Sequence, residues 1–238
     1  RIVEAPFLAP DVLAAADGKL EEWLASLGEP ADGLRQVFAA APKARELMAG
    51  LCEYSPYLWD LVRDDPDRIL RVLCINPDSQ FRVLLASVVS ALTQVEAEAD
   101  AMRLLRRTKS ELALLIAIAD IGGVWPVMQV TQALTELADT MVQAAVRFLL
   151  CDAMRRDRLK PADPREPEAG SGYIVLAMGK MGAFELNYSS DIDLIVFFEP
   201  DAPGIPEDTD PSSLYIRVTR GLVKLLQERT GDGYVFRV

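Results

Sequence analysis

The sequence predicts a multi-domain protein of the α and α/β classes: an all-helical N-terminal domain over residues 1–160, then a short α/β domain over residues 161–238. Three observations carry this. Up to residue 160, apolar residues recur at helical spacing with no strand alternation. The stretch 160–172, KPADPREPEAGSG, then concentrates proline, glycine and charge in the manner of a domain boundary. Beyond it the runs are short, apolar and β-branched, in the order strand, glycine turn, strand, helix, strand.

The helical part opens over residues 11–27, with Asp11 as a capping residue after Pro10 and Leu13, Leu20, Trp23, Leu24 and Leu27 on one face. Further helices follow at 32–40, 43–53, 56–63, 66–74, 79–101 and 103–121, the last stopped by Gly122 and Gly123. Prolines 42, 56, 66 and 77 fall near first turns, where a missing N–H costs nothing. From Val127 through Val130, Leu134, Leu137, Met141, Ala144 and Phe148 to Cys151 the spacing is an unbroken three-four. The flanks are Ala, Leu and Thr rather than paired charges, so a long helix inside a bundle fits better than a coiled-coil dimer.

In the second part, residues 173–178 (YIVLAM) read as a buried strand and 191–198 (DIDLIVFF) as a second strand. Residues 199–211 form an acidic, proline-containing exposed loop. Residues 212–229 form a helix whose apolar face is Leu214, Val218, Leu222, Leu225 and Leu226. Gly231 and Gly233 turn the chain into a third strand at 234–238.

Composition narrows the chemistry. The 238 residues carry a formal charge of −11, which disfavours a non-specific nucleic-acid binder built on Lys and Arg. The longest apolar run, 81–92, is too short for a bilayer and is interrupted by Arg82 and Ser87. No secretory leader is visible, and Cys52, Cys74 and Cys151 lack metal-ligand spacing. Buried free thiols and a reducing, cytoplasmic location are the expectation. The chain contains no histidine, which removes Ser–His and Cys–His catalysis and His-ligated zinc. Carboxylates, Lys, Arg, Ser, Tyr, Cys or a metal must carry any reaction.

The segment 178–194, MGKMGAFELNYSSDIDL, holds the candidates. Asp191 and Asp193 stand two apart, so on a strand both point to one face with Cα atoms about 6–7 Å apart, a spacing that suits one shared divalent ion or two. Ile192 and Leu194 would face the core. Gly179 and Gly182 bracket Lys180 after an apolar strand, so backbone N–H groups and a cation could meet a phosphate there. A tight turn with an exposed lysine explains the same residues. The run is neither a P-loop, which needs a longer spacer and a following Ser or Thr, nor a dinucleotide fingerprint, which needs a third glycine.

A glycine turn followed twelve residues on by D-h-D-h resembles the nucleotidyltransferases of the polymerase β type. The longer string GKMGAFELNYSSDIDLIVFF resembles the glutamine synthetase adenylyltransferase family, whose run G-K-h-G-x-x-E-L-N/G-x-S-S-D-h-D-L is met at each fixed position between Gly179 and Leu194. The stretches 55–70 and 104–123 are also similar to the N-terminal half of that family. The resemblance implies a polymerase β-type nucleotidyltransferase α/β domain behind the helices. It implies Mg²⁺ held by Asp191 and Asp193, and a phosphate or nucleotide contacted by Gly179, Lys180, Gly182 and Ser190. It also implies glutamine synthetase and the PII signal protein as partners, with ADP, ATP and inorganic phosphate as small ligands and neither nucleic acid nor membrane.

Family members carry two related copies of this domain, one removing AMP from a glutamine synthetase tyrosine by phosphorolysis to ADP, the other attaching AMP from ATP. Met178, Asn187 and Ile192 favour the adenylyl-removing copy; Tyr188 leans to the forward one. A non-catalytic docking or regulatory fragment is the remaining alternative. The family continues beyond Y-V/F-x-R-V into an aspartate-containing D-x-R-L-R-P segment. Residues 234–238 match the lead-in, so the α/β domain is expected to be truncated and to turn over only once extended through that segment. Around the carboxylates, Ser189 and Glu185 read as turn and loop residues, while Asn187 suits a left-handed backbone position as readily as a substrate contact. Arg217, Arg220 and Lys224 read as the solvated face of a helix. Arg103, Arg106, Arg107 and Lys109 read as a helix surface that an acidic partner could contact.

Overall fold

In the computed structural model, which describes residues 2–238, the chain is mostly helical with one small sheet. Helices α1 (Pro10–Ser26), α2 (Pro30–Ala40), α3 (Pro42–Tyr54), α4 (Pro56–Asp64), α5 (Pro66–Cys74), α6 (Pro77–Leu92), α7 (Glu98–Ile121) and α8 (Val127–Arg155) come first. Strand β1 (Tyr173–Ala177), the one-turn helix α9 (Gly179–Gly182), strand β2 (Leu194–Phe198) and helix α10 (Pro211–Gln227) follow.

Seven of these helices begin on a proline, where its fixed φ suits the first turn and its absent N–H loses no bond. Before four of the prolines a polar side chain caps the helix. Ser55 Oγ accepts from Leu58 N–H at 3.4 Å, Asp65 from Arg68 N–H at 3.0 Å, Asn76 from Ser79 N–H at 3.1 Å and Asp210 from Ser213 N–H at 3.0 Å. Helix α1 differs from expectation: Ala9 is its cap residue and makes no side-chain bond, while Asp11 lies in the first turn, where it complements the helix dipole. The single helix expected over 79–101 is two. Thr93 Oγ1 donates to the Ser90 carbonyl at 2.6 Å and Val95 N–H to Leu92 O at 3.2 Å, so a side chain and i−3 bonding close α6 without a glycine or proline.

By packing, the chain forms two compact units. The first takes the segment ending at Val83 together with Ser110–Val130; the second takes Leu84–Lys109 and Thr131–Val238. The boundary anticipated at residue 160 therefore lies inside the second unit. Residues 160–172 there are tied by backbone bonds, Lys160 N–H to Gly204 O at 2.7 Å and Gly204 N–H to Gly170 O at 3.2 Å. The 199–211 loop is correspondingly less exposed than its composition suggests, with Ala202, Gly204 and Thr209 buried.

In the first unit Leu20, Leu24, Leu34, Leu47, Met48 and Ile69 are buried from α1, α2, α3 and α5. In the second, the anticipated seam of α8 is interior at Leu134, Leu137, Met141, Ala144 and Phe148, and so is the whole predicted face of α10. The cysteines are free, but Cys52 and Cys151 are only half-buried and Cys74 is exposed, so buried thiols is not the right description.

The sheet is an antiparallel pair, Tyr173 opposite Phe198 and Ala177 opposite Leu194. Tyr173, Val175, Ala177, Leu194 and Val196 are half-buried on one face, and Tyr215 of α10 stacks on Tyr173 there with ring centres 5.6 Å apart. On the other face Ile174, Leu176, Ile195 and Phe197 are exposed. The continuous apolar run of residues 173–178 is thus a strand with one covered face, not a buried one. Residues 234–238 form no strand: Val235 and Phe236 N–H both bond Leu226 O at the end of α10, which diverts the backbone from strand pairing.

Candidate functional site

The β1–α9 turn and the approach to β2 form one small unit of backbone. Sheet pairing continues past the named strands, because Met178 N–H donates to Asp193 O at 2.8 Å. Strand β2 begins at Leu194 rather than at Asp191, yet the alternation persists upstream: Asp191 and Asp193 are exposed while Ile192 between them is buried. The two carboxylates therefore share a side, as their spacing requires. Ile192 is anchored twice, by its buried side chain and by its N–H, which donates to Arg237 O at 2.9 Å.

Each glycine of the turn has its own steric cause. Gly179 has φ +55°, and a Cβ there would stand 2.9 Å from Asp193 Oδ2. The carboxylate thus sits in space that any other residue would occupy. At Gly182 a Cβ would stand 2.5 Å from Ala177 O, so close backbone approach fixes this residue. Its N–H is already bonded to Met178 O at 3.0 Å. Lys180 lies between them with its side chain exposed. Leu186, fully buried, holds the far side of the loop, and its N–H donates to Thr135 Oγ1 of α8 at 3.3 Å.

Ser190 and Ser189 are organised by Asn187. Its Oδ1 accepts from Ser189 N–H at 3.1 Å and from Ser190 Oγ at 2.9 Å, an Asx-type turn that leads the chain into Asp191. Arg237 Nη2 clamps the same turn from outside, donating to Ser189 O at 2.8 Å. Asn187 and Arg237 thus emerge as loop-shaping residues. The signal for Asn187 was its place two residues before the serine pair; that for Arg237 was its fixed place in the Y-V/F-x-R-V run.

The basic run on α7 is a helix surface at Arg103 and Arg107, which are exposed, but not at Arg106. Arg106 is completely buried, and its guanidinium bonds the carbonyls of Met102, Leu225, Glu228 and Gly233. The sequence did carry a sign of this: Arg106 is four residues beyond Met102, inside the apolar stripe that includes Leu105, Leu112 and Ala113. Arg217 and Arg220 are exposed, and Lys224 pairs with Glu98 at 2.5 Å, as a solvated helix face predicts.

Two hard oxygen donors on one side of a strand suit Mg²⁺, which typically takes one or two carboxylates and completes its shell with water and substrate phosphate. Among the described residues no group of three or more His, Cys, Asp and Glu could hold a metal. The space that Gly179 leaves beside Asp193 Oδ2 fits its role as such a donor. No helix among the described residues is long and apolar enough to cross a membrane.

Known proteins agree with the motif. Residues 45–238 match the family model described as glutamate-ammonia ligase adenylyltransferase. The bifunctional glutamine synthetase adenylyltransferase/adenylyl-removing enzyme of Bradyrhizobium diazoefficiens is 52% identical over 239 residues, covering 100% of this chain and 24% of that protein. The enzyme of the same description from Bradyrhizobium sp. strain ORS 278 is 54% identical over 241 residues, with the same coverage. That from Xanthobacter autotrophicus is 47% identical over 237 residues, 99% of this chain and 24% of the relative. The chain thus spans about a quarter of the length of these relatives. With a family match reaching from α3 to its last residue and about half of its positions shared with these relatives along its whole length, the chain belongs to the glutamate-ammonia ligase adenylyltransferase family.

Proposed function

We propose that residues 161–238 form part of a polymerase β-type nucleotidyltransferase site that removes AMP from a glutamine synthetase tyrosine by phosphorolysis, releasing ADP. The supporting observation is the pairing of Asp193 with Gly179: an exposed carboxylate lies over a glycine whose side chain is excluded, beside a second carboxylate on the same side. The relatives are named for both adenylylation and its reversal, and Met178, Asn187 and Ile192 favour removal.

In this reading Asp191 and Asp193 are the ligands of Mg²⁺, which when bound neutralises phosphate charge around the reacting phosphorus. Gly179 and Lys180 contact phosphate, the first through backbone and the second through its ammonium group. Ser190 is held by Asn187 at the edge of the site and can rotate its hydroxyl toward a phosphate oxygen. Gly182 acts indirectly, by letting the turn close on β1. An oxygen of inorganic phosphate forms the new bond to the AMP phosphorus, the bond to the tyrosine oxygen breaks, and the phosphate proton ends on the tyrosine hydroxyl. These residues position and neutralise, so the reaction needs no histidine. The reading also carries a cytoplasmic location, with glutamine synthetase and the PII protein as partners.

The test uses the chain extended through the D-x-R-L-R-P segment that the resemblance implies, with Mg²⁺. Release of ADP from adenylylated glutamine synthetase and phosphate is expected, and Asp191→Asn and Asp193→Asn should each abolish it without lowering the melting temperature. Incorporation of AMP from ATP with no ADP release would instead assign the forward reaction, which Tyr188 favours. No Mg²⁺-dependent turnover of either kind would overturn the site.

A further inference from the structure

Arg106 makes four hydrogen bonds to backbone carbonyls while none of its surface reaches solvent. One acceptor, Met102 O at 3.0 Å, belongs to its own helix. The other three lie more than a hundred residues away, on consecutive parts of one structure: Leu225 O at 3.0 Å in the last turn of α10, Glu228 O at that helix's end, and Gly233 O at 2.9 Å in the turn beyond. Carbonyls at a helix C-terminus have no partners within the helix and carry its negative dipole end. A planar cation with five N–H donors answers them together, whereas an ammonium group could not span the same set.

The chain leaving this turn leads to the carboxylates. Tyr234 lies under the Lys109 ammonium, 5.6 Å from the ring centre, and under the Arg229 guanidinium at 5.7 Å. Asp232 pairs with Arg107 at 3.3 Å. Val235 and Phe236 N–H return to Leu226 O at 2.9 and 3.1 Å. Arg237 then accepts from Ile192 N–H at 2.9 Å and donates to Ser189 O at 2.8 Å. Ile192 stands between Asp191 and Asp193. Buried Arg106 is thus linked through the 228–233 turn and residues 234–237 to the backbone that aims both carboxylates.

We infer that Arg106 is a positioning residue for the Asp191–Asp193 site, fixing the segment that locks Ile192 and hence the direction of both carboxylates. The inference rests on the site reading above for its functional part only; the positioning itself is a property of the fold. Losing the guanidinium removes the donor that ties Leu225 O and Glu228 O to α7 and leaves Gly233 O held only within its own turn by Thr230 N–H at 2.9 Å, so residues 228–237 should loosen locally before the helices do.

Amide hydrogen exchange and titration of Mg²⁺ with ADP, on the full 238-residue chain and its Arg106→Met and Arg106→Lys variants, test this. In Arg106→Met, exchange at Ile192, Val235 and Phe236 should accelerate by about tenfold or more, while Ala138 and Ala145 of α8 keep their protection. Mg²⁺-dependent ADP affinity should fall by about tenfold. Arg106→Lys keeps the charge but not the fork, so it should lie between, and it decides the matter if the methionine variant does not fold. Accelerated exchange at Val235 and Phe236 with Ile192 unchanged would overturn the inference, because the turn would then not be coupled to the carboxylates. Uniform acceleration including α8 in both variants would also overturn it, leaving Arg106 a stability residue alone. A wild-type chain that takes up no Mg²⁺–ADP would count against the site, while Ile192 exchange would still decide whether Arg106 governs that segment.

Discussion

Helices α1 to α5 and the segment from Met178 to Phe198 solve the same problem, ending one element and starting the next, by opposite means. Among the helices each start is a proline, twice preceded by a capping side chain, and each such device stands alone. At the β1–α9 junction of the 178–198 segment backbone is pressed on backbone and on a carboxylate, with Gly179 and Gly182 fixed by what a Cβ would strike. A capped junction degrades by one hydrogen bond when it is changed. A junction closed by contact has no partial state, so the carboxylate of Asp193 keeps its place only while Gly179 lacks a side chain.

The sharpest way to break this comparison is to add one methyl group. Gly182→Ala places a Cβ 2.5 Å from Ala177 O, and backbone on both sides cannot give way. A loss of about 2–3 kcal/mol is expected, the upper part of the range for overpacking. Gly179→Ala meets a side-chain oxygen that can rotate, so its cost is about 1–2 kcal/mol, chiefly the left-handed backbone, and Asp193 is turned away. Urea denaturation of both variants, with Mg²⁺–ADP titration, checks the pair. Equal stability losses with unchanged nucleotide binding in Gly179→Ala would mean that the turn does not aim the carboxylate.

The two regions were also unequally legible. Proline, Asp65 and Ser55 announce helix starts in the sequence because capping is local: donor, acceptor and φ restriction lie within four residues. The break at 93–97 was hidden because Thr93 acts through its hydroxyl, and threonine is common in helix interiors as well. At the site, the i, i+2 pair and both glycines were visible, since spacing and missing side chains are sequence properties. The strand expected at 234–238 was not a misjudged propensity. Tyr, Val and Phe are good strand formers, but the Leu226 carbonyl takes the N–H groups a neighbouring strand would need. The burial of Arg106 was readable only as a charge inside an apolar stripe, and its carbonyl partners lie more than a hundred residues on.

A capped junction should behave as a graded one. Asp65→Ala removes the acceptor for Arg68 N–H and leaves Pro66 in place, so a loss of about 1 kcal/mol is expected. Asp65 also lies 3.6 Å from Arg71 and 3.7 Å from Arg68, and Asp65→Asn, which caps without charge, separates the two contributions. If the asparagine variant is as unstable as the alanine one in thermal melts, charge rather than capping closes this junction. The comparison would then fail on its helical side.

The smallest effect concerns how α1, α2 and α3 are tied together. Glu21 of α1 receives Arg45 of α3 at 2.6 Å and Arg35 of α2 at 2.8 Å, while Asp17 accepts from Arg45 at 2.7 Å. Hydrogen bonds from Arg45 and then Arg35 hold the Glu21 carboxyl below its ordinary range. A depressed folded-state value means that the unfolded chain takes up the proton first as pH falls. The contribution is therefore complete above the unfolded glutamate value of about 4.3 and disappears as pH drops through the lower folded value. The side chain is 40% exposed and its partners are solvated, so screening limits the whole contribution to well under about 1 kcal/mol. Glu21→Gln should accordingly melt slightly below wild type at neutral pH in low salt, with the difference closing as pH falls below about 4. A difference that persists unchanged into acid would show that Glu21 contributes packing rather than charge. The helices would then be joined by contact, as the 178–198 segment is, and the contrast between the two regions would narrow to their caps.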